Sequence, residues 1–211
     1  MTELVLASTS PARLALLRAG GIEPIIIAPG VDEDAAAARA EAAGLISSVG
    51  DLVHVLAKAK GEAVAGNPAT FGRVIVACDS SLELDGVSLG KPHDPEVARD
   101  RWRQMRGRSG ILHTGHWVID NRNPQSGQLP PATGRVTSTV VHFADLSDAE
   151  IDLYVATGEP LKVAGAFTID ARGGAFIRGI EGDSHSVVGL SLSALREACL
   201  QLGVEYTSLW T

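Results

Sequence analysis

Residues 74–92 hold three kinds of reactive side chain close together. Asp79 follows the apolar run 74–78, Ser80 and Ser81 come next, and Lys91 stands between Gly90 and Pro92 after an Asp85-Gly86 pair. A carboxylate can ligate a cation or take a proton from water, and a lysine can neutralise an anion. The short apolar run reads as a strand buried on both faces. Ligands of open α/β sheets bind at the C-terminal ends of such strands, where the loops splay apart. Asp85-Gly86 is a hairpin turn signal. Taken alone, the same residues also describe a strand, a polar turn and a surface lysine.

Three other stretches carry similar chemistry. Ser8-Thr9-Ser10-Pro11-Ala12-Arg13 follows a buried strand over 4–7. Ser10 reads as an N-cap with proline at the first helical position, and the helix runs to Gly20-Gly21. Free amides, hydroxyls and Arg13 there form an anion site in principle; the simpler reading is capping. Val31-Asp32-Glu33-Asp34 leaves a strand over 22–27. Its acids are either helix-start residues favoured by the dipole or include a metal ligand. Lys58 and Lys60 lie on a helix that Asp51 is expected to cap, with Leu52, Val55, Leu56, Ala59 and Ala63 as its apolar stripe. By themselves both lysines read as surface residues.

The elements that position these groups alternate at first and then turn β-rich. An Ala-rich helix is expected over 35–43, a helix from Asp94-Pro95 to about Met105, a strand over 111–119, a loop over 121–133 and a strand over 135–143. Ser147-Asp-Ala-Glu150 is a capping box opening a helix that Gly158-Glu159-Pro160 ends. Residues 163–170 and 175–180 read as a strand pair turning at Gly173-Gly174, 182–186 as a polar loop, and 192–202 as a final amphipathic helix. The expected fold is α/β, a twisted mixed sheet flanked by helices, with residues 1–211 forming one domain.

Composition narrows the functions. With 45% hydrophobic residues the chain is globular, and a net charge of -7 argues against a nucleic-acid-binding surface. The 2 cysteines, Cys78 and Cys199, lack zinc-ligand spacing and read as packed thiols of a reducing compartment. No membrane-spanning run or leader pattern is present, so a cytoplasmic protein without a membrane partner is expected. Gly86-Val-Ser-Leu-Gly-Lys-Pro92 is not a Walker loop, no G-x-G-x-x-G precedes a helix, and no G-x-S-x-G marks a hydrolase elbow.

The ordered set Ala7-Ser-Thr-Ser-Pro-Ala-Arg13, Val31-Asp-Glu33, Ala57-Lys-Ala-Lys60, Asp79-Ser80, Gly90-Lys-Pro92, Thr114-Gly115, Gly158-Glu-Pro160, Ala164-Gly-Ala-Phe167, Ile180-Glu-Gly-Asp183 and Val187-Val-Gly-Leu190 resembles the Maf family. Its members are nucleoside triphosphate pyrophosphatases also known as septum formation inhibitors. The resemblance spans nearly the whole chain. It implies an inosine-triphosphatase-like fold of two lobes with a cleft between them, and cleavage of a nucleoside triphosphate to its monophosphate and pyrophosphate with Mg²⁺ or Mn²⁺. It implies Asp79 as general base, Ser8, Ser10, Arg13, Lys60 and Lys91 as phosphate-binding residues, and Glu33 with Asp79 as metal ligands. Whether Asp79 deprotonates the attacking water or only orients it stays open. Homodimers are common in the family.

Departures from the family concern specificity. Members preferring thymidine and uridine triphosphates carry arginine, threonine and glutamine where this chain has Ala12, Ser80 and Asp170, and the lysine usual before Ala-Gly-Ala is Val163. A glutamine can pair with the O4 and N3–H of uracil. An ionised carboxylate only accepts, repels O4 and suits the adjacent N–H donors of guanine. The branch cleaving 7-methylguanosine triphosphate also has an acid there, but an aromatic residue in place of Ala12. A guanine-type base is therefore expected. The competing class is a non-catalytic nucleotide-binding regulator of septum formation. Retention of both acids along with Arg13, Lys60 and Lys91 favours the enzyme.

Overall fold

The computed structural model describes residues 2–125 and 127–211. Its strands are β1 (Leu4–Leu6), β2 (Ile25–Ile26), β3 (Arg73–Leu84), β4 (Val87–Leu89), β5 (Ser109–Asn121), β6 (Ala132–Phe143) and β7 (Ile177–Glu181). Its helices are α1 (Pro11–Ala19), α2 (Glu33–Ala42), α3 (Val49–Ala65), α4 (Pro95–Met105), α5 (Asp148–Ala156), α6 (Ser184–Val188) and α7 (Leu192–Gln201). The strands form one mixed sheet in the order β2-β1-β3-β5-β6-β7, with β4 paired to β3. β1 runs parallel to β2 and β3, whereas β3–β4 and β6–β7 are antiparallel. This is the mixed α/β sheet flanked by helices that the sequence predicts. No described helix is long and apolar enough to cross a membrane.

The chain divides into two compact units. The first comprises Met1–Asp79, Thr114–Thr137 and Gly189–Thr211, the second Ser80–His113 and Ser138–Val188. In the first unit the apolar runs are buried on both faces, as a strand without a polar side must be. Leu4, Leu6, Val74, Val76, Cys78 and Val118 face α1 and α7 through Leu17, Leu195, Ala198 and Cys199. On the other face Val5, Ala7, Ile75, Ala77 and Ile119 pack with Val64 of α3. In the second unit Leu82, Leu84, Leu112, Val141 and Phe143 pack with Ala98, Trp102 and Met105 of α4 and Ile151, Tyr154 and Val155 of α5. Trp102 sits at the centre of this core, edge-on to Phe143, Tyr154 and Phe176, and its indole N–H donates to the Ala166 carbonyl at 2.8 Å. The aromatic cluster thus meets its one polar demand internally.

Some expectations are corrected. Ser48, not Asp51, caps α3; Asp51 lies in the first turn, where its carboxylate accepts from the Ser47 amide and the hydroxyls of Ser47 and Ser48. Strand β2 is only two residues long, and 163–170 is not a strand. Residues 164–166 and 172–176 are short 3₁₀ turns, and only Ile177–Glu181 pairs with β6. Local geometry explains this. Gly165 and Ala166 adopt φ of 67° and 59°, which breaks an extended run, and the Glu159 carboxylate accepts the amides of Arg172 and Gly173 that a ladder would need. The apolar run 163–167 instead seats Ala166 and Phe167 in the second unit's core.

Candidate active site

In the first unit, three of the predicted residues converge. The buried run 74–78 ends at Asp79, but the strand does not, contrary to the expectation: β3 continues to Leu84, and the Asp79 side chain keeps 13% of its exposure. Lys60 Nζ donates to Asp79 Oδ1 at 2.5 Å and lies 3.0 Å from Glu33 Oε1. Lys60 reaches them because it stands on the buried stripe of α3 with Val53, Leu56, Ala57, Gly61 and Val64. It is not the surface lysine that composition suggests. Its neighbour Lys58 is, pairing with Glu62 and lying over the Trp117 ring. The expected stripe of Leu52, Val55, Leu56, Ala59 and Ala63 is out of phase, with Ala63 exposed and only Leu56 buried; the buried side runs through 53, 57, 60 and 64 in a 3.6-residue repeat, and Lys60 points where those apolar side chains point.

Two close approaches fix α3 against the sheet. A Cβ on Gly61 would come within 2.9 Å of Trp117, and a Cβ on Gly115 would overlap the backbone of α3 at Val53 and His54. Gly115 belongs to the Thr114-Gly115 pair, which the sequence singles out without a role. Glu33 is the first residue of α2, capped by Asp32, whose side chain accepts from the Ala35 amide at 3.0 Å. Its carboxylate is nearly half exposed. The helix-start reading and the ligand reading are both compatible with that position.

A second group in the same unit surrounds the start of α1. Ser10 caps the helix, accepting from the Arg13 amide. Buried Ser8 accepts from the Ser10 amide at 3.2 Å and from Arg13 Nη1 at 3.1 Å, while Arg13 Nε donates to the Gly189 carbonyl at 2.7 Å. Gly189 has φ of +118°, and a Cβ there would lie 3.1 Å from Arg13 Nε. It therefore both holds the guanidinium and makes room for it, a role sequence reasoning missed although Val187-Val-Gly-Leu190 is among the quoted motifs. Cys78 links the two groups. Burial pushes its thiol up to about 11, and Arg13, Lys60 and Asp79 all act on it electrostatically. Ala12 is half-buried on α1.

The remaining predicted residues lie in the second unit. Ser80 follows Asp79 along β3 and is half-buried. The Asp85-Gly86 turn closes the β3–β4 hairpin with φ of 53° and 78°, and the chain then presents Lys91, exposed and without an ion pair among the described residues. Asp170 is exposed in a loop that Glu159 braces. The Glu159 carboxylate accepts from the Tyr154 hydroxyl at 3.0 Å, the Thr168 hydroxyl at 2.6 Å and the Gly173 amide at 2.9 Å. Burial alone would raise the Glu159 carboxyl; these donors outweigh it and hold it below its ordinary value. Gly158-Glu159-Pro160 thus does more than end α5. Among the described residues no group of three or more His, Cys, Asp and Glu could hold a metal ion.

An acid within β3 directly after its buried run, a buried lysine shared by two carboxylates, and an arginine clamped beside a capped helix start make a unit suited to polyanionic substrates. Relatives agree with that chemistry. A protein of Leifsonia xyli subsp. xyli called nucleoside triphosphate pyrophosphatase is 54% identical over 98% of this chain and 96% of its own length. Proteins of the same name from Cutibacterium acnes and Streptomyces coelicolor are 51% and 50% identical, covering 99% and 98% of this chain and 95% and 94% of their own. The family model described as Maf-like protein matches residues 3–202, a span that takes in every site residue above, and the chain belongs to that family.

Proposed function

We propose that this chain is a nucleoside triphosphate pyrophosphatase that hydrolyses its substrate to the nucleoside monophosphate and pyrophosphate. The observation that carries the reading is Lys60, a buried ammonium shared by Asp79 and Glu33 in a chain about half identical to proteins named for this reaction. In the reaction a bond forms between a water oxygen and the α-phosphorus, and the bond to the oxygen bridging to the β-phosphorus breaks. Asp79 accepts the hydrogen bond of the attacking water and takes its proton. A triphosphate carries about four negative charges, and the attack requires their neutralisation. Arg13, Lys60, Lys91 and the amides that open α1 supply part of it. Ser8 holds Arg13 in place.

The donor set fits a hard divalent cation. Glu33 and Asp79 are oxygen donors brought to one cation, the Lys60 ammonium, and water and phosphate oxygens would complete a Mg²⁺ shell. Glu33 and Asp79 would hold Mg²⁺ or Mn²⁺, which supplies charge neutralisation of the triphosphate when bound. Asp170, an exposed acceptor, favours a guanine-type base, canonical or modified. The physiological setting we infer is cytoplasmic removal of surplus or modified nucleotides, arrest of division, or both, by a chain that forms homodimers.

Pyrophosphate release across canonical and modified nucleoside triphosphates, with Mg²⁺ or Mn²⁺ and after chelation, tests this. Turnover by the wild type and its loss in Asp79→Asn are expected. A wild type inert on every nucleotide would falsify the reading.

A further inference from the structure

Helix α4 carries three arginines at alternate positions, and the middle one differs from its neighbours. Arg99 pairs with Glu96 at 2.6 Å and Asp152 at 2.9 Å, and Arg103 pairs with Asp100 at 3.0 Å. Arg101 forms no ion pair among the described residues. It is half-buried, next to Trp102 and within one turn of Ala98 and Met105, the inward residues of the helix. Burial holds its guanidinium below the ordinary value. Its single hydrogen bond among the described residues runs from Nη1 to the Gly90 carbonyl at 2.6 Å.

Gly90 precedes Lys91. Its carbonyl also accepts from the Gly165 amide at 3.3 Å, and the His93 amide donates to the Leu161 carbonyl at 2.9 Å. The turn that presents Lys91 is therefore tied to α4 on one side and to 161–165 on the other. One neutral carbonyl uses one of the five N–H donors of a guanidinium. The donors left over are partly open to solvent and free to take the oxygens of an anion. The planar fork of arginine matches the oxygens of a phosphate.

We propose that Arg101 is a further phosphate-binding residue, which takes an oxygen of the triphosphate, and later of the pyrophosphate product, beside Lys91. It rests on the reading of Lys91 as a phosphate-binding residue. A rigid strut that only shapes the turn is the competing role, and it would leave anion affinity alone.

Calorimetric titration of the full chain with inorganic pyrophosphate, alongside steady-state kinetics on guanosine triphosphate, separates the two. Arg101→Met is expected to weaken pyrophosphate binding roughly tenfold or more, the loss of a charge-assisted contact. KM should rise by a similar factor while kcat moves less. If Arg101→Met does not fold, Arg101→Lys decides: keeping the charge but losing the fork, it should bind pyrophosphate roughly threefold more weakly. Unchanged pyrophosphate affinity in whichever of these variants folds overturns the proposal. Lys91→Ala distinguishes the failures. Weakened binding in Lys91→Ala but not in the Arg101 variants sinks the Arg101 assignment alone. Unchanged binding in both, with a wild type that cleaves no triphosphate, sinks the function as well.

Discussion

Lys60 is the residue on which the first unit's acids depend. Standing within β3 directly after the buried run 74–78, Asp79 has little water, so its charge needs a partner supplied by the protein. Lys60 is that partner, and Glu33 shares it at 3.0 Å. Lys60→Met keeps the apolar stem of the side chain and removes the ammonium. It should lower kcat roughly a hundredfold or more, the usual effect of losing one preorganised charge contact. It should also destabilise the fold by about 1–3 kcal/mol, because Asp79 is left largely unpaired. Urea unfolding and pyrophosphate release read the two effects separately; a fully active, equally stable variant would remove Lys60 from the mechanism. Asp170 makes the opposite kind of prediction. It is exposed, and its exchange should cost almost no stability. Asp170→Gln is expected to shift the ratio of kcat/KM from guanosine toward uridine triphosphate, because the amide adds a donor for uracil O4. A substrate ranking that stays as in the wild type counts against base reading by this residue.

Helix α3 explains why the site was partly legible and partly hidden. That a buried run leads to Asp79 follows from five apolar residues in a row, although the strand itself runs on to Leu84, and that Ser10 caps α1 follows from the serine-proline step. Lys60 was hidden: the stripe expected through 52, 55, 56, 59 and 63 is out of phase with the buried face through 53, 57, 60 and 64, which sends Lys60 inward. The braces were harder still. Gly189 acts through a carbonyl and a missing Cβ, and neither has a side-chain signature. Residues 163–170 show why composition alone misleads. Their run of small and apolar residues suits a strand, but positive φ at Gly165 and Ala166 and the donors gathered by Glu159 give the backbone another use. Gly115 tests the role of such spacing. A Cβ there meets backbone of α3 at Val53 and His54, which cannot rotate away as a side chain could. Gly115→Ala should therefore cost roughly 1–3 kcal/mol, toward the upper end. It should also lower kcat/KM by displacing Lys60 from Asp79. A melting temperature and activity equal to wild type would show that α3 yields without consequence for the site.

The molecule as a whole carries a net charge of -7, and several of its carboxylates are held below their ordinary values by specific partners. Hydrogen bonds from Ser47 and Ser48 hold Asp51 down at about 2, the Arg122 side chain lowers Asp120, and the Ser147 amide and hydroxyl lower Glu150. Arg18 does the same to Glu23, and Glu159 is lowered by the Thr168, Gly173 and Tyr154 donors. These groups belong to both units: Glu23, Asp51 and Asp120 to the first, Glu150 and Glu159 to the second. A carboxyl whose folded pKa lies below its unfolded one binds fewer protons when folded. The stability it contributes is complete above the unfolded value, near 4, and disappears as pH falls through the folded one. The melting temperature should therefore be flat with respect to these groups above about pH 5 and drop steadily from about pH 4.5 to pH 2. Because Asp51 caps nothing alone but gathers three donors at the start of α3, Asp51→Asn should remove part of the slope between about pH 4 and pH 2 and leave the rest. Thermal melts across that range check it. A wild type whose melting temperature does not change on acidification would mean that the same hydrogen bonds persist in the unfolded chain, contrary to the long-range pairing of Glu159 with residues 168–173.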